Sequence, residues 1–414
     1  MGEESVKIPK FNPMSSEFQL DRYSVLKKYQ EQEPVHSMPE KTLTGREFTQ
    51  WMVTKYEDVS FVLKDARFIK EISRIIPPDQ QQPIPPVVAD LVKSQRNQML
   101  FRDPPDHTRL RRLVTQAFTP KIVQRLKPSI QSIANQLLEK KEGQHEFDIV
   151  KDFAYPLPVI VIADLLGVPA EDREIFKEWS DSFIKTIDLD PTMETLVHGN
   201  KVTIDFRNYF REIVRERTEK PKDDLISGLI QAKDLDGKLS EDELLDMCIL
   251  LLVAGHETTV NLIANSLLLL LTHKDQQALL REQPELIGSA IEEVLRYESP
   301  VQITNRFVAE DMDFHGHKLK QGDAVMVWLS AANRDPARFE NPDVFDIKRK
   351  PNQHLAFSLG SHFCLGAPLA REEAIIAVQT FLEKYPNVEL ATDSVQWSSS
   401  PLMRSLKSLP VTVQ

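Results

Sequence analysis

The sequence predicts a mainly α-helical protein with a smaller β-rich portion, and three observations carry that reading. The first is a long apolar run from about Glu241 to Thr272, with Ser240 before it and Glu243 three residues on, the signature of a capping box. At 1.5 Å per residue it spans roughly 48 Å. It is apolar nearly all round, so it belongs buried through the middle of one large unit. The second is a set of short alternating stretches after Pro300, at 302–308, 313–314 and 324–329, with Gly316 and Gly322 marking turns between them. The third is a turn over residues 357–366, in which Gly360 and Gly366 bracket Cys364 and a helix follows from Ala367 through Ala377.

Length and composition narrow the class. A chain of 414 residues suffices for one large domain or two to four ordinary ones, and the buried helix favours one unit over 1–414, with a flexible lead-in at about 1–20. Two cysteines, Cys248 and Cys364, argue against a disulfide framework, structural zinc or an iron–sulfur cluster. A net charge of -11 disfavours a general nucleic-acid surface. Residues 1–10 carry no apolar signal-peptide core, and the most apolar stretches, 247–254 and 267–271, are shorter than the ~20 residues that span a bilayer. The expectation is a cytoplasmic monomer with no membrane and no nucleic-acid partner.

Taken in order, residues 1–20 read as extended and 21–30 as a short helix. Residues 46–53 and 58–63 form two short elements. Residues 75–86 are rich in proline and glutamine, a loop that is either a mobile lid or a surface linker. In 103–113 the prolines Pro104 and Pro105 stop one element and Asp106 can cap the next. His107 and Arg111 are four apart on one helix face and could hold an anion such as a carboxylate, or form a solvated basic turn. Arg109 and Arg112 point elsewhere and could meet an acidic partner. Helical patterns cover 121–141, 171–187 and 202–218. The apolar run 150–166 is interrupted by Pro156 and Pro158 and ends at Gly167.

The centre of the long helix breaks its own rule. Ala254-Gly255-His256-Glu257-Thr258-Thr259 puts a carboxylate and two hydroxyls in an apolar setting, where each needs a partner or a function. Threonine can bond back to the carbonyl four residues earlier and open a local bulge. Such a groove could take a small ligand and deliver protons through Glu257, or be a satisfied polar bend. Glu293 and Arg296, three apart, can pair on one face. A meandering loop from Asn333 to Arg349 feeds the cysteine turn, and the tail regains β pattern at 410–413. Cys364 itself is either a thiolate metal ligand, favoured by the helix start behind it, or an ordinary buried thiol.

Together these stretches resemble the cytochrome P450 family, the haem-thiolate monooxygenases, over almost the whole chain. Phe357, Gly360, His362, Cys364 and Gly366 stand at the places of the family's cysteine loop. Residues 254–259 resemble its oxygen-binding helix motif, Glu293 and Arg296 its Glu-x-x-Arg pair, and 103–111 the bacterial haem-propionate motif. The resemblance implies the cytochrome P450 fold, with its triangular haem-thiolate architecture, and haem b (iron protoporphyrin IX) on an axial cysteine thiolate, Cys364. It implies that His107, Arg111, Arg306 and His362 hold the propionates, that Phe357 packs near the thiolate, and that Gly366 belongs to the same cofactor loop. Thr258 and Glu257 would organise protons at dioxygen, with Ala254 and Gly255 lining the oxygen groove. Glu293 and Arg296 would be a structural pair, joined to the meander through Arg349. Val253, Val301, Ile303, Leu402 and Met403 would border the substrate pocket, with the 72–100 loop and the helices over 179–210.

The implied activity uses dioxygen and two external electrons to hydroxylate a lipophilic small molecule: a polyketide, terpenoid, steroid or fatty acid. The likeness is to the soluble bacterial branch. With no reductase region in the chain, a ferredoxin with ferredoxin reductase would donate the electrons, docking near Arg109, Arg112 and Arg371. Two residues depart from the pattern: Ser358 stands where many relatives have glycine, and Glu257 where many have aspartate. Alternatives are a peroxygenase, a haem-thiolate epoxidase or C–C coupling enzyme, a haem-based ligand-binding or sensor protein, and a purely structural helical protein.

Overall fold

The apolar run folds as one unbroken helix, and most of the chain is built against it. The structure, a computed structural model, describes residues 11–41, 47–77, 81, 83–189, 191–233 and 237–413. The expectations for residues 1–10, Arg46 and Pro78 lie outside the described residues.

The lead-in is not extended throughout. Ser15 caps α1 (Ser16–Leu20), accepting from the Phe18 N–H, and Asp21 caps α2 (Arg22–Gln32) in the same way. Phe11 and Phe18 set their ring edges against Trp328, each 5.4 Å from it. Aromatic burial thus draws a segment read as an extended, flexible lead-in onto the core. Next come β1 (Val35–Lys41), β2 (Glu47–Val53), α3 (Tyr56–Lys64) and β3 (Phe68–Ile69). The proline-rich stretch lies between a 3₁₀ turn at Ile72–Arg74 and another at Pro86–Val88, which leads into α4 (Ala89–Asn97).

In α5 (Asp106–Ala117) the cap position is Pro105, and Asp106 is the first helical residue. The Asp106 carboxylate pairs with Arg102 at 2.5 Å, so it cannot cap as the sequence suggested. After α6 (Pro120–Glu139) and β4 (Glu146–Asp148), a π turn at Val150–Ala154 runs into α7 (Pro156–Leu166). Pro156 and Pro158 do not interrupt that helix, because both sit in its first turn, where an N–H has no intrahelical partner. Gly167 ends it with φ +76°. The chain continues through α8 (Arg173–Ile184), α9 (Met193–Glu219), α10 (Leu225–Gln231) and α11 (Glu241–Thr272). Helix α9 starts nine residues before the predicted 202 because Thr192 caps it. Both halves of the capping box on Ser240 and Glu243 are present.

Helices α12 (Lys274–Glu282) and α13 (Ile287–Tyr297) precede the β portion: β5 (Ile303–Val308), β6 (Met312–Phe314), β7 (His317–Leu319) and β8 (Ala324–Trp328). Leu329, read as strand, opens the short α14 (Leu329–Ala332). The chain closes with α15 (Ala367–Lys384), β9 (Glu389–Leu390) and β10 (Pro410–Thr412). One sheet has the order β1-β2-β8-β5-β3, with β2 and β8 parallel; a second is β4-β10-β9; β6 and β7 form a hairpin.

Helix α11 packs on α4, α7, α9, α13 and α15. It is long and apolar enough to cross a membrane, but most of its surface is buried inside the protein, so its apolar faces are satisfied by the core.

Candidate active site

The cysteine turn is shaped by two residues with positive φ, Ser358 at 60° and Gly360 at 72°. At Gly360 a Cβ would stand 2.7 Å from the carbonyl oxygen of Leu63, so only glycine fits. A 3₁₀ turn, Gly360–His362, then delivers Cys364, whose N–H donates to the Phe357 carbonyl at 2.9 Å. Burial pushes the Cys364 thiol up. The N–H groups of Gly366 and Ala367, at the start of α15, oppose that shift, as do the charges of Arg111 and Arg371. Cys248 has no such help: it is fully buried in α11, and burial, Asp246 and Asp224 all push its thiol up. Of the two cysteines, only Cys364 sits among donors and cations that favour a thiolate.

Beside that turn, cations gather. The rings of His107 and His362 are 4.3 Å apart between centroids. Burial, with the charges of Arg306, His107, Lys70 and Arg111, pulls His362 down to about 2. Burial also lowers Arg306 to about 10, against the opposing pull of Asp103. His107 is lowered by burial and by Arg111. His107 Nδ1 and His362 Nε2 are enclosed with no hydrogen-bond partner among the described residues.

Lys70 was not foreseen. Its Nζ donates to Thr304 Oγ1 and Asn305 Oδ1, both at 3.0 Å, and burial and Arg306 drive it well below the usual lysine range. The nearby carboxylate, Asp103, is occupied by the backbone N–H groups of Lys70 and Glu71 at 2.7–3.0 Å. Five basic groups in one low-dielectric corner push one another toward their neutral forms unless an anion joins them.

The centre of α11 is open on one side. Ala254 is exposed and Gly255, Glu257 and Thr258 are half-buried, while Val253 and Thr259 beside them are 3% and 2% exposed. Thr258 Oγ1 donates to the Ala254 carbonyl at 3.1 Å, and Thr259 Oγ1 to that of Gly255 at 3.2 Å. Neither bond breaks the helix. Glu257 Oε2 is enclosed without a partner among the described residues. Burial, reinforced by Asp181 and Asp188 and opposed by Lys185, pushes its carboxyl up to about 7.

The remaining predicted residues divide. Glu293 and Arg296 are fully buried and joined by two bonds of 2.8 Å; Arg349 reaches Glu293 at 3.1 Å. Val253 is buried in the main core, Val301 and Met403 meet in a bridge, and Leu402 packs on the N-terminal cluster. Side chains alternate along β5, so Ile303 and Arg306 lie on opposite faces; Ile303 is buried with Phe18 and Trp328, in the cluster on which Leu402 also packs.

The basic residues expected to dock a donor are also engaged. Arg109 pairs with Glu243, Arg371 holds Glu292 at 2.6 and 2.9 Å, and Arg112 has a partner of its own. No cluster of three or more His, Cys, Asp or Glu side chains able to hold a metal exists among the described residues. A group that brings two carboxylates to this corner and a metal to one thiolate fits this donor set: it would satisfy the orphaned His107 and His362 nitrogens and supply the anion that the clustered basic groups lack.

Comparison with known proteins finds relatives of one family along nearly the whole chain. The family model for cytochrome P450 matches residues 25–412. The polyketide biosynthesis cytochrome P450 PksS of Bacillus subtilis (strain 168) is 42% identical, over 97% of this chain and 98% of its own. The biotin biosynthesis cytochrome P450 of the same organism is 44% identical, again over 97% and 98%. The crystal structure of P450BioI in complex with hexadec-9Z-enoic acid ligated acyl carrier protein superposes with TM-score 0.88 at 43% identity, covering 96% of this chain and 99% of that one.

Proposed function

This chain belongs to the cytochrome P450 family, oxidoreductases that bind haem b through an axial cysteine thiolate, and from that premise we propose that it inserts one atom of dioxygen into a C–H bond of a lipophilic acyl or polyketide-like substrate. The other oxygen atom leaves as water, with two electrons supplied from outside by a ferredoxin and its reductase.

Haem b, when bound, supplies dioxygen activation and the oxidation of the C–H bond. The chain's own residues do the rest. Cys364 would hold the haem iron, its thiolate favoured by the Gly366 and Ala367 N–H groups and by Arg111. His107, Arg111, Arg306 and His362, with Lys70, would receive its two carboxylates. Thr258 spends its proton on the Ala254 carbonyl, so its oxygen is left to accept a bond in the open groove. Glu257, titrating near neutrality at an enclosed oxygen, is suited to hold a proton and release it toward that groove. The observation that carries the reading is this pairing: an unpartnered carboxyl beside an accessible hydroxyl, in the opened stretch of an otherwise buried helix. It favours dioxygen reduction over simple ligand binding. An open depression of ≈ 590 Å³ is lined by His107 and Arg111 together with Arg112, Gly360 and Ser361.

The test begins with hexadec-9Z-enoic acid, free and linked to acyl carrier protein, because P450BioI was crystallised with that pair. Each is titrated into the ferric holoenzyme while the spin-state spectrum is read, then turned over with ferredoxin and reductase. A spin shift followed by a product carrying one added oxygen supports the reading. Product with peroxide alone and none with the redox chain would make this a peroxygenase. Binding without product would make it a ligand-binding protein. Cys364→Ala must abolish the thiolate-specific spectrum of the reduced carbon monoxide complex.

A further inference from the structure

The turn that carries Cys364 is held from both sides by one carboxylate that no motif singles out. Glu292, on α13, accepts from Arg371 Nε at 2.6 Å and from its terminal nitrogen at 2.9 Å, a bidentate pair. Its Oε2 also lies 3.1 Å from His354 Nε2. His354 precedes the turn, and Arg371 follows it in α15. The Ala356 N–H donates to His354 Nδ1 at 3.3 Å, so the neutral ring carries its proton on Nε2 and gives it to Glu292. Burial alone would raise the Glu292 carboxyl; the bonds from His354 and Arg371 hold it at about 2, an anion throughout the neutral range.

The bidentate hold has a consequence for Arg371. It fixes the guanidinium over the face of Phe357, 4.6 Å from the ring centroid. Phe357 in turn accepts the Cys364 amide at 2.9 Å. His354 reaches the same ring from another side, with centroids 6.1 Å apart. One carboxylate therefore sets the entry of the turn, its exit helix and the ring that backs the cysteine. The guanidinium and the carboxylate cancel as charges, so removing either leaves the other uncompensated beside the site.

We propose that Glu292 and Arg371 form a charge-compensated clamp that sets the reduction potential of the haem held by Cys364, with His354 as the positioning residue that aligns Glu292. The proposal rests on Cys364 being the axial ligand. One-electron reduction lowers the charge of the site by one, so an uncompensated cation favours it and an uncompensated anion opposes it.

Opposite signs are the test, read by spectroelectrochemical titration of the substrate-free holoenzyme. Glu292→Gln leaves Arg371 uncompensated and moves the midpoint to more positive potential. Arg371→Met leaves Glu292 uncompensated and moves it to more negative potential. The double variant returns toward the parent value, and Arg371→Lys, which keeps the charge, stays near it. A clamp that only braced the fold would shift both single variants in the same direction or in neither, and either result overturns the proposal. Should Arg371→Met fail to retain haem, Glu292→Gln and Arg371→Lys decide alone: the first must rise while the second holds. A parent protein lacking the thiolate-specific carbon monoxide spectrum, or a Cys364→Ala variant retaining it, would instead sink the ligand assignment.

Discussion

Two regions of this molecule bury a glutamate in a helix and treat it in opposite ways. In α13, Glu293 is fully buried and saturated with donors: Arg296 with two bonds, Arg349, Asn352 and the Asp346 N–H, all at 2.8–3.1 Å. In α11, Glu257 has one oxygen enclosed with no donor, and its carboxyl titrates near 7. The first carboxylate ties a helix to the meander before the cysteine turn. The second has an oxygen that no described residue bonds. A saturated buried anion is scaffold, while a starved one is free to exchange a proton, and burial alone does not separate the two.

The largest effect should come from breaking the saturated site. Glu293→Gln leaves the Arg296 and Arg349 charges buried without their anion, and removing one partner of such a pair costs about 3–5 kcal/mol. Urea unfolding of the holoenzyme should show a loss of that size together with reduced haem content. A loss below about 1 kcal/mol, the scale of an exposed pair, would make this network no anchor at all.

The starved site should respond through chemistry and pH. Glu257→Gln keeps the shape and removes the exchangeable proton, so substrate-coupled product formation should fall on the order of 100-fold while electron consumption continues. Its stability signature has a definite sign. The folded group is raised from 4.5 to about 7, so the fold binds a proton that the unfolded chain has released between those values. The parent should therefore lose stability relative to Glu257→Gln as pH rises from about 4.5 to 7, by at most about 3 kcal/mol, and stay level on either side of that window. A flat difference across the window would show that Glu257 is not starved.

A smaller effect separates the cation corner from both. Lys70→Met removes one cation and its two hydrogen bonds while keeping the length of the side chain. Transfer of haem to an apo-globin acceptor should quicken about tenfold, the scale of one charge-assisted bond, and Lys70→Arg should restore the parent rate. Unchanged transfer would leave His107, Arg111, Arg306 and His362 sufficient.

What the sequence reveals follows from where each signal lies. Helix α11 was legible because its cap, its apolar run and its polar break are all local. The cysteine turn was legible because Gly360, Cys364 and Gly366 are close neighbours. Partners distant along the chain were not. Arg109 and Arg371 read as spare surface charge because the glutamates that hold them are 134 and 79 residues away. Lys70 follows a two-residue strand in a stretch that looks exposed, and only Asp103, Thr304 and Asn305 turn it inward. The surroundings of Ile303 were not legible either, because the pleat of β5, set by its pairing with β8, decides which face it takes.

The finest test lies in the cysteine turn, where one residue departs from the pattern its neighbours keep. Ser358 holds φ 60°, and its hydroxyl is buried with no partner among the described residues. The left-handed region costs a side-chain-bearing residue about 1–2 kcal/mol, partly offset in a comparison with glycine by the greater freedom of an unfolded glycine. Ser358→Gly should therefore stabilise the holoenzyme by about 1 kcal/mol. If the turn is a fixed scaffold like the Glu293 network, that gain appears in thermal unfolding with no change in the thiolate-specific spectrum. If the strain instead serves the cysteine, stability rises while the carbon monoxide band or the reduction potential moves, and the turn belongs with Glu257 among the groups left unsatisfied for function.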